Sequence, residues 1–172
     1  MVSLAGLYAC NAQPGFVTGG GWLPSADRVS GDKANFGFNA QQCDLSQPGT
    51  GHFNYNDHHA SGFQPLGVDI NGSILDVGLC VPPFNGSTIT TACTVCESIF
   101  GNTSNLYGID ESYTSKNPNF RGTGTAVVCA IDNGEGFHAK DDEIAVVIGS
   151  GPFTGYSNVG QSEGNIQAQL CP

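Results

Sequence analysis

Three histidines and a carboxylate crowd one short stretch of the chain: His52, Asp57, His58 and His59. Imidazole nitrogens and carboxylate oxygens together make a donor set for copper or zinc. A regular strand places residues an even number apart on one face, so His52 and His58 would share a face. His58 and His59 would then point to opposite faces, and the turn signal Ala60-Ser61-Gly62 follows at once. The plainer reading is a polar strand end running into that turn. A metal-dependent enzyme built on His52, His58 and His59 is the more distant alternative.

A second donor set is acidic: Asp132, Glu135, Asp141, Asp142 and Glu143, interleaved with Gly134 and Gly136. Calcium is held by many oxygens, and carboxylates on glycine-rich turns supply them. The D-x-D-x-D-G spacing of an EF-hand is absent, and a hairpin loop with solvated acids near Lys140 accounts for the same residues. Calcium is the one cofactor the sequence offers. The pair Cys93-Thr-Val-Cys96 has redox spacing, but a redox C-x-x-C opens a helix inside a βαβ unit. No βαβ pattern occurs here, so a structural cystine or two bridges to other partners are expected. There is no G-x-S-x-G, no Walker A motif, and no G-x-G-x-x-G after a strand. The chain reads as a non-enzyme.

The elements that would carry these residues are strands. The chain has 172 residues, enough for one domain with a real core. It holds 25 Gly and 14 Asn, and only 12% of residues are charged. That is the composition of short strands joined by many turns. Lys33 to Gln41 (KANFGFNAQ) alternates most clearly, and Gly51 to Asp57 follows the same rule. Phe16 to Leu23 runs through three glycines. Leu66 to Ile70 and Ile74 to Val81 flank Asn71-Gly72, a tight-turn dipeptide that predicts a hairpin. Thr91 to Gly101 reads as a short helix or a cystine-pinned loop, and Leu106 to Ile109 as an edge strand. Phe120 to Asp132, Asp142 to Gly149, Tyr156 to Gly160 and Asn165 to Leu170 complete the pattern. Nine or ten short strands predict a single all-β domain, an antiparallel sandwich or barrel, with an insertion at 82–116.

Seven cysteines lie at Cys10, Cys43, Cys80, Cys93, Cys96, Cys129 and Cys171. Zinc needs four ligands at characteristic spacing, and no second C-x-x-C or H-x3-H is present. Disulfides are therefore expected, and with them an oxidising place, secreted or on a cell surface. Their pairing is not readable, and the odd count leaves one thiol or one intermolecular bond. Leu7-Tyr8-Ala9-Cys10 is faintly like a lipoprotein cleavage box, but a structural Cys10 is the expectation. Met1 to Ala9 lacks the basic region of a signal peptide, so a leader removed upstream is expected. The net charge is −10, and the five bases are scattered, which excludes a nucleic-acid footprint. No apolar run approaches the roughly 20 residues of a membrane span. Sequons occur at Asn71, Asn85 and Asn102, about the number chance supplies. Trp22 alternates as a core residue, while Tyr55, Tyr107, Tyr113 and Tyr156 are further candidates for stacking on sugars.

Val17-Thr-Gly-Gly-Gly-Trp22, Ala34-Asn-Phe-Gly-Phe-Asn39 and Gly51-His-Phe-Asn-Tyr-Asn-Asp-His58 follow one another in order. Phe120-Arg-Gly122, Asp132-Asn-Gly-Glu135 with Asp142, Gly155-Tyr156 and Gly164-Asn-Ile-Gln167 come after them. Across residues 16 to 169 this resembles a domain of uncharacterised secreted bacterial proteins that opens with VTGGGW and closes with GGNIQ. The resemblance implies secretion, β architecture and a non-catalytic accessory or surface role, and it carries no site residues. The chain departs from it in its seven cysteines and in the stretch from Pro82 to Lys116. The function expected is a non-catalytic extracellular structural module. Its partner would be a second copy, as a homo-oligomer, or a matrix or surface component. A glycan- or calcium-binding module is the alternative.

Overall fold

The computed structural model describes residues 13–28, 31–81, 89–135 and 141–172. Nine strands and one helix follow in order: β1 (Gln13–Pro24), β2 (Lys33–Gln42), β3 (Thr50–Asp57), β4 (Val68–Leu79), α1 (Ile89–Phe100), β5 (Leu106–Ser115), β6 (Thr123–Ile131), β7 (Glu143–Ile148), β8 (Ser157–Gln161) and β9 (Glu163–Leu170). All pair antiparallel in one sheet of order β8-β7-β6-β5-β4-β3-β2-β1-β9. Gln13 and Pro14 of β1 also pair with Leu79 and Gly78 of β4, so β1 to β4 form a closed ring and the sheet doubles over as a sandwich.

Alternation builds the core. Ala34, Phe36, Phe38 and Ala40 of β2 are buried, and Phe53 and Tyr55 of β3 join them. The rings of Phe36, Phe38, Phe53, Tyr55 and Tyr156 follow one another at centroid separations of 6.0 to 6.2 Å. Such contacts add to the free energy of apolar burial. Two glycines of β1 are explained by their neighbours. A Cβ on Gly19 would sit 2.7 Å from the Phe38 ring, and one on Gly21 would sit 2.6 Å from the Glu163 carbonyl oxygen.

Two sequence expectations change. Asn71-Gly72 does not turn: β4 runs unbroken from Val68 to Leu79, and both residues lie mid-strand. Gly72 is there because a Cβ at that position would overlap the Glu111 carboxyl group. Leu106 to Ile109 is not an edge. It begins β5, which pairs with β4 and β6 along its whole length. Within 82–116, then, Leu106 to Ser115 belongs to the sheet, and the part that stands apart is centred on α1.

Helix α1 is pinned covalently. Cys93 pairs with Cys80 at the end of β4, and Cys96 pairs with Cys129 of β6. Ala92, Cys93, Cys96, Leu106, Cys129, Ile131 and Ala145 form a second small core beneath it. The third bridge, Cys43–Cys171, ties the end of β9 to the residue after β2 across 128 residues of sequence. Closing so long a loop restricts the unfolded chain most. The paired substitutions Cys43→Ser and Cys171→Ser are expected to cost about 3 kcal/mol of stability, read from denaturant midpoints. A loss below about 1 kcal/mol would mean the bridge does not constrain the unfolded state. Cys10 lies outside the described residues.

Candidate functional site

The largest polar cluster is sealed inside. Asp57, at the end of β3, is 0% exposed. Its carboxylate accepts hydrogen bonds from Ser25 Oγ at 2.7 Å, Ala26 N at 3.0 Å, Tyr156 OH at 2.7 Å and His59 N at 3.2 Å. Behind it, the Tyr55 and Tyr156 hydroxyls lie 2.6 Å apart, and Asn158 Nδ2 donates to Tyr55 OH and to the Pro24 carbonyl. Burial pushes both phenols well above their usual range, which keeps them neutral donors. The chain of bonds joins β1, β3 and β8. The side chains of Ser25, Tyr55, Asp57, Tyr156 and Asn158 at its centre are all buried, so the network ties these strands together.

The acidic loop is spent in a similar way. Asp142 accepts from Asn133 N at 2.8 Å and Ile166 N at 2.7 Å. Asp132 accepts from Gly134 N and Ala168 N, both at 2.8 Å. Ile166 and Ala168 belong to β9, an outer strand of the sheet. Two carboxylates thus take two of the backbone N–H groups that β9 would otherwise leave unpaired, a common liability of edge strands. Glu135 accepts a long bond from Gln167 Nε2 at 3.4 Å, while Asp141 is exposed and Glu143 half-buried. Lys140 lies outside the described residues.

The histidines stay apart in their contacts. His52 is exposed in mid-β3, His58 Nδ1 lies 3.2 Å from the Leu66 carbonyl, and His59 Nδ1 lies 3.1 Å from Asp32. Among the described residues no three His, Cys, Asp or Glu gather as a metal-ligand group. Cys93 and Cys96 each bridge to a different partner.

What the fold does assemble is an exposed face. Outward residues of successive strands line up in rows across the sheet. One row reads Glu163, Trp22, Asn35, Asn56, Asp69. The next reads Asn165, Gly20, Gly37, Asn54, Asn71, Thr114, Thr123. A third reads Gln167, Thr18, Asn39, His52, Ser73, Ser112, Thr125. The second and third rows contain no carboxylate, ammonium or guanidinium group, although the chain carries a net charge of −10. Amides and hydroxyls dominate them. Trp22 is half-buried on this face rather than part of the core, with Lys33 Nζ 3.6 Å from its ring centroid. The core position expected for Trp22 is wrong: the buried β1 residues are Gly15, Val17 and Leu23, one parity away.

Trp22 stands between two concavities. On one side, a depression of about 310 Å³ lies over Asn35, Gly37, Asn54, Asn56, Asp69 and Asn71. On the other, a groove of about 410 Å³ is lined by Trp22, Arg28, Asp141, Ser162 and Glu163 with backbone of β8. Arg28 takes a positive φ of 52°, uncommon outside glycine, and its guanidinium donates to the Val159 carbonyl at 3.3 Å. Asn56 Oδ1 and Ser162 Oγ, one in each concavity, are buried with no hydrogen-bond partner.

The chain matches no family model, no curated protein and no solved structure.

The polar residues outward on β2 and β3 were visible as one half of each alternation, but their rows exist only once the register of β9, β1 and β4 is known. Arg28 and Ser162 carried no sequence signal.

Proposed function

We propose that the chain is a non-catalytic extracellular structural module, a braced block that works by contact within a surface layer, filament or matrix. The fate of its reactive groups carries this reading. Six cysteines are consumed in cross-links. The carboxylates of Asp57, Asp132 and Asp142 are engaged by donors that hold the sheet together. Cross-links at this density suit an oxidising medium. The covered N–H groups of β9 discourage joining by strand addition at that edge.

The test is mass mapping of the protein isolated from its native source without reductant, together with fractionation. Cys43–Cys171, Cys80–Cys93 and Cys96–Cys129 are expected to be oxidised, in a protein found with the envelope or matrix. Free thiols at those positions in a soluble intracellular pool would overturn the reading.

A further inference from the structure

The groove at Trp22 and the depression over Asn35 and Asn56 each lie above a buried oxygen without a partner. A buried hydroxyl or amide oxygen without a partner costs free energy, and folded proteins rarely leave one unpaired without reason. Here two such atoms, Asn56 Oδ1 and Ser162 Oγ, line the two concavities beside one aromatic ring. Ser162 is 4% exposed. Around them, the exposed amides and hydroxyls of the rows suit a ligand rich in hydroxyl groups, each able to donate to one oxygen and accept from another.

We propose that this face binds an uncharged polysaccharide, laid along the polar rows with one sugar ring held at Trp22. The inference rests on the reading of the chain as an extracellular contact module and names its partner. Three observations select the chemistry. First, the second and third rows are neutral where the rest of the chain is acidic, so a charged polymer gains nothing from them. Second, amides and hydroxyls offer donors and acceptors together, which matches alternating hydroxyls better than a peptide backbone with its fixed direction. Positions along a row, one per strand, repeat at about 4.8 Å, on the scale of a single sugar ring. Third, the groove joins an indole to Arg28, Asp141 and Glu163. The C–H face of a sugar packs on the aromatic surface, while carboxylates accept from neighbouring hydroxyls and the guanidinium donates. Gly20 and Gly37, bare positions beside Trp22, let the polymer approach the backbone.

The experiment is affinity electrophoresis and pull-down of the whole, disulfide-bonded protein. The probes are soluble xylan, mannan and β-glucan, and insoluble cellulose and chitin, with heparin as an anionic control. Retention on at least one neutral polymer and not on heparin is expected. Trp22→Ala should weaken it by roughly tenfold or more, as truncation of a central aromatic anchor does. Asn54→Ala, at an exposed mid-row position, should weaken it by roughly threefold. Both variants should keep the wild-type melting temperature, because neither residue belongs to the core. No retention on any neutral polymer overturns the proposal, as does retention unchanged by both substitutions. Stronger binding to heparin overturns it too. Inhibition of ice growth without polysaccharide binding would assign the rows to ice and overturn it equally. In each of these cases the disulfide mapping still decides whether the chain is an extracellular module.

Discussion

Asp57→Ala is expected to lower stability by about 5 kcal/mol, enough to unfold a domain of ordinary stability. The carboxylate takes four donors, from Ser25, Ala26, His59 and Tyr156. Each donor left buried and unpaired costs at least about 1 kcal/mol, and the emptied volume adds to that. The damage spreads past Asp57, because Tyr156 OH loses its acceptor while Tyr55 OH lies 2.6 Å behind it. Asp57→Asn separates the two contributions. It preserves the volume and one acceptor oxygen but brings an NH2 group against existing donors, so about half the loss should remain. In a double-mutant cycle, Asp57→Asn and Tyr156→Phe should be strongly non-additive, since they break the same bond. Denaturant titration of the four proteins is the measurement. Additive effects, or a loss under about 1 kcal/mol for Asp57→Ala, would show that the network does not hold β1, β3 and β8 together.

Asp57 also shows what could be read in advance. Its position at the end of an alternating segment was plain, and the strand Thr50–Asp57 fell where the Phe53/Tyr55 alternation placed it. Its partners were not visible, because Ser25 and Tyr156 are distant in sequence and carry no local pattern. The same contrast runs through the fold. Lys33 to Gln42 forms the strand its period of two demands, and all-β architecture with disulfides followed from composition and cysteine count. Asn71-Gly72 failed because a turn dipeptide expresses a local preference, whereas this glycine answers a demand from β5, a strand later in the chain. Trp22 failed because three glycines precede it and blur which parity is buried. The polar rows needed both periodicity and register, and register is set by contacts between strands rather than within them.

The demand from β5 can itself be tested. Glu111 is 0% exposed, and both of its carboxyl oxygens lack partners. Its register neighbours are Ile74 and Ala126. Burial holds its pKa well above the usual carboxylate range, so the folded protein keeps it protonated where the unfolded chain would release the proton. The folded state therefore binds more protons over that interval, and stability must fall as pH rises through it. The slope approaches about 1.4 kcal/mol per pH unit for one proton. Asp110 adds a smaller fall of the same sign that ends near its raised value of about 6, set by burial and then by Asp76. Glu111→Gln should remove the slope above pH 6 and leave the Asp110 part below it. Gly72→Val is expected to cost about 4 kcal/mol, near the upper end for overpacking, because it drives a side chain into the space the carboxyl fills. Adding Glu111→Ala should recover most of that loss, since valine then occupies the vacated volume and no buried carboxyl remains. A Gly72→Val protein as stable as the parent, or a double variant no better than the single one, would mean that Gly72 is not there for Glu111 and that the unbroken β4 has another cause.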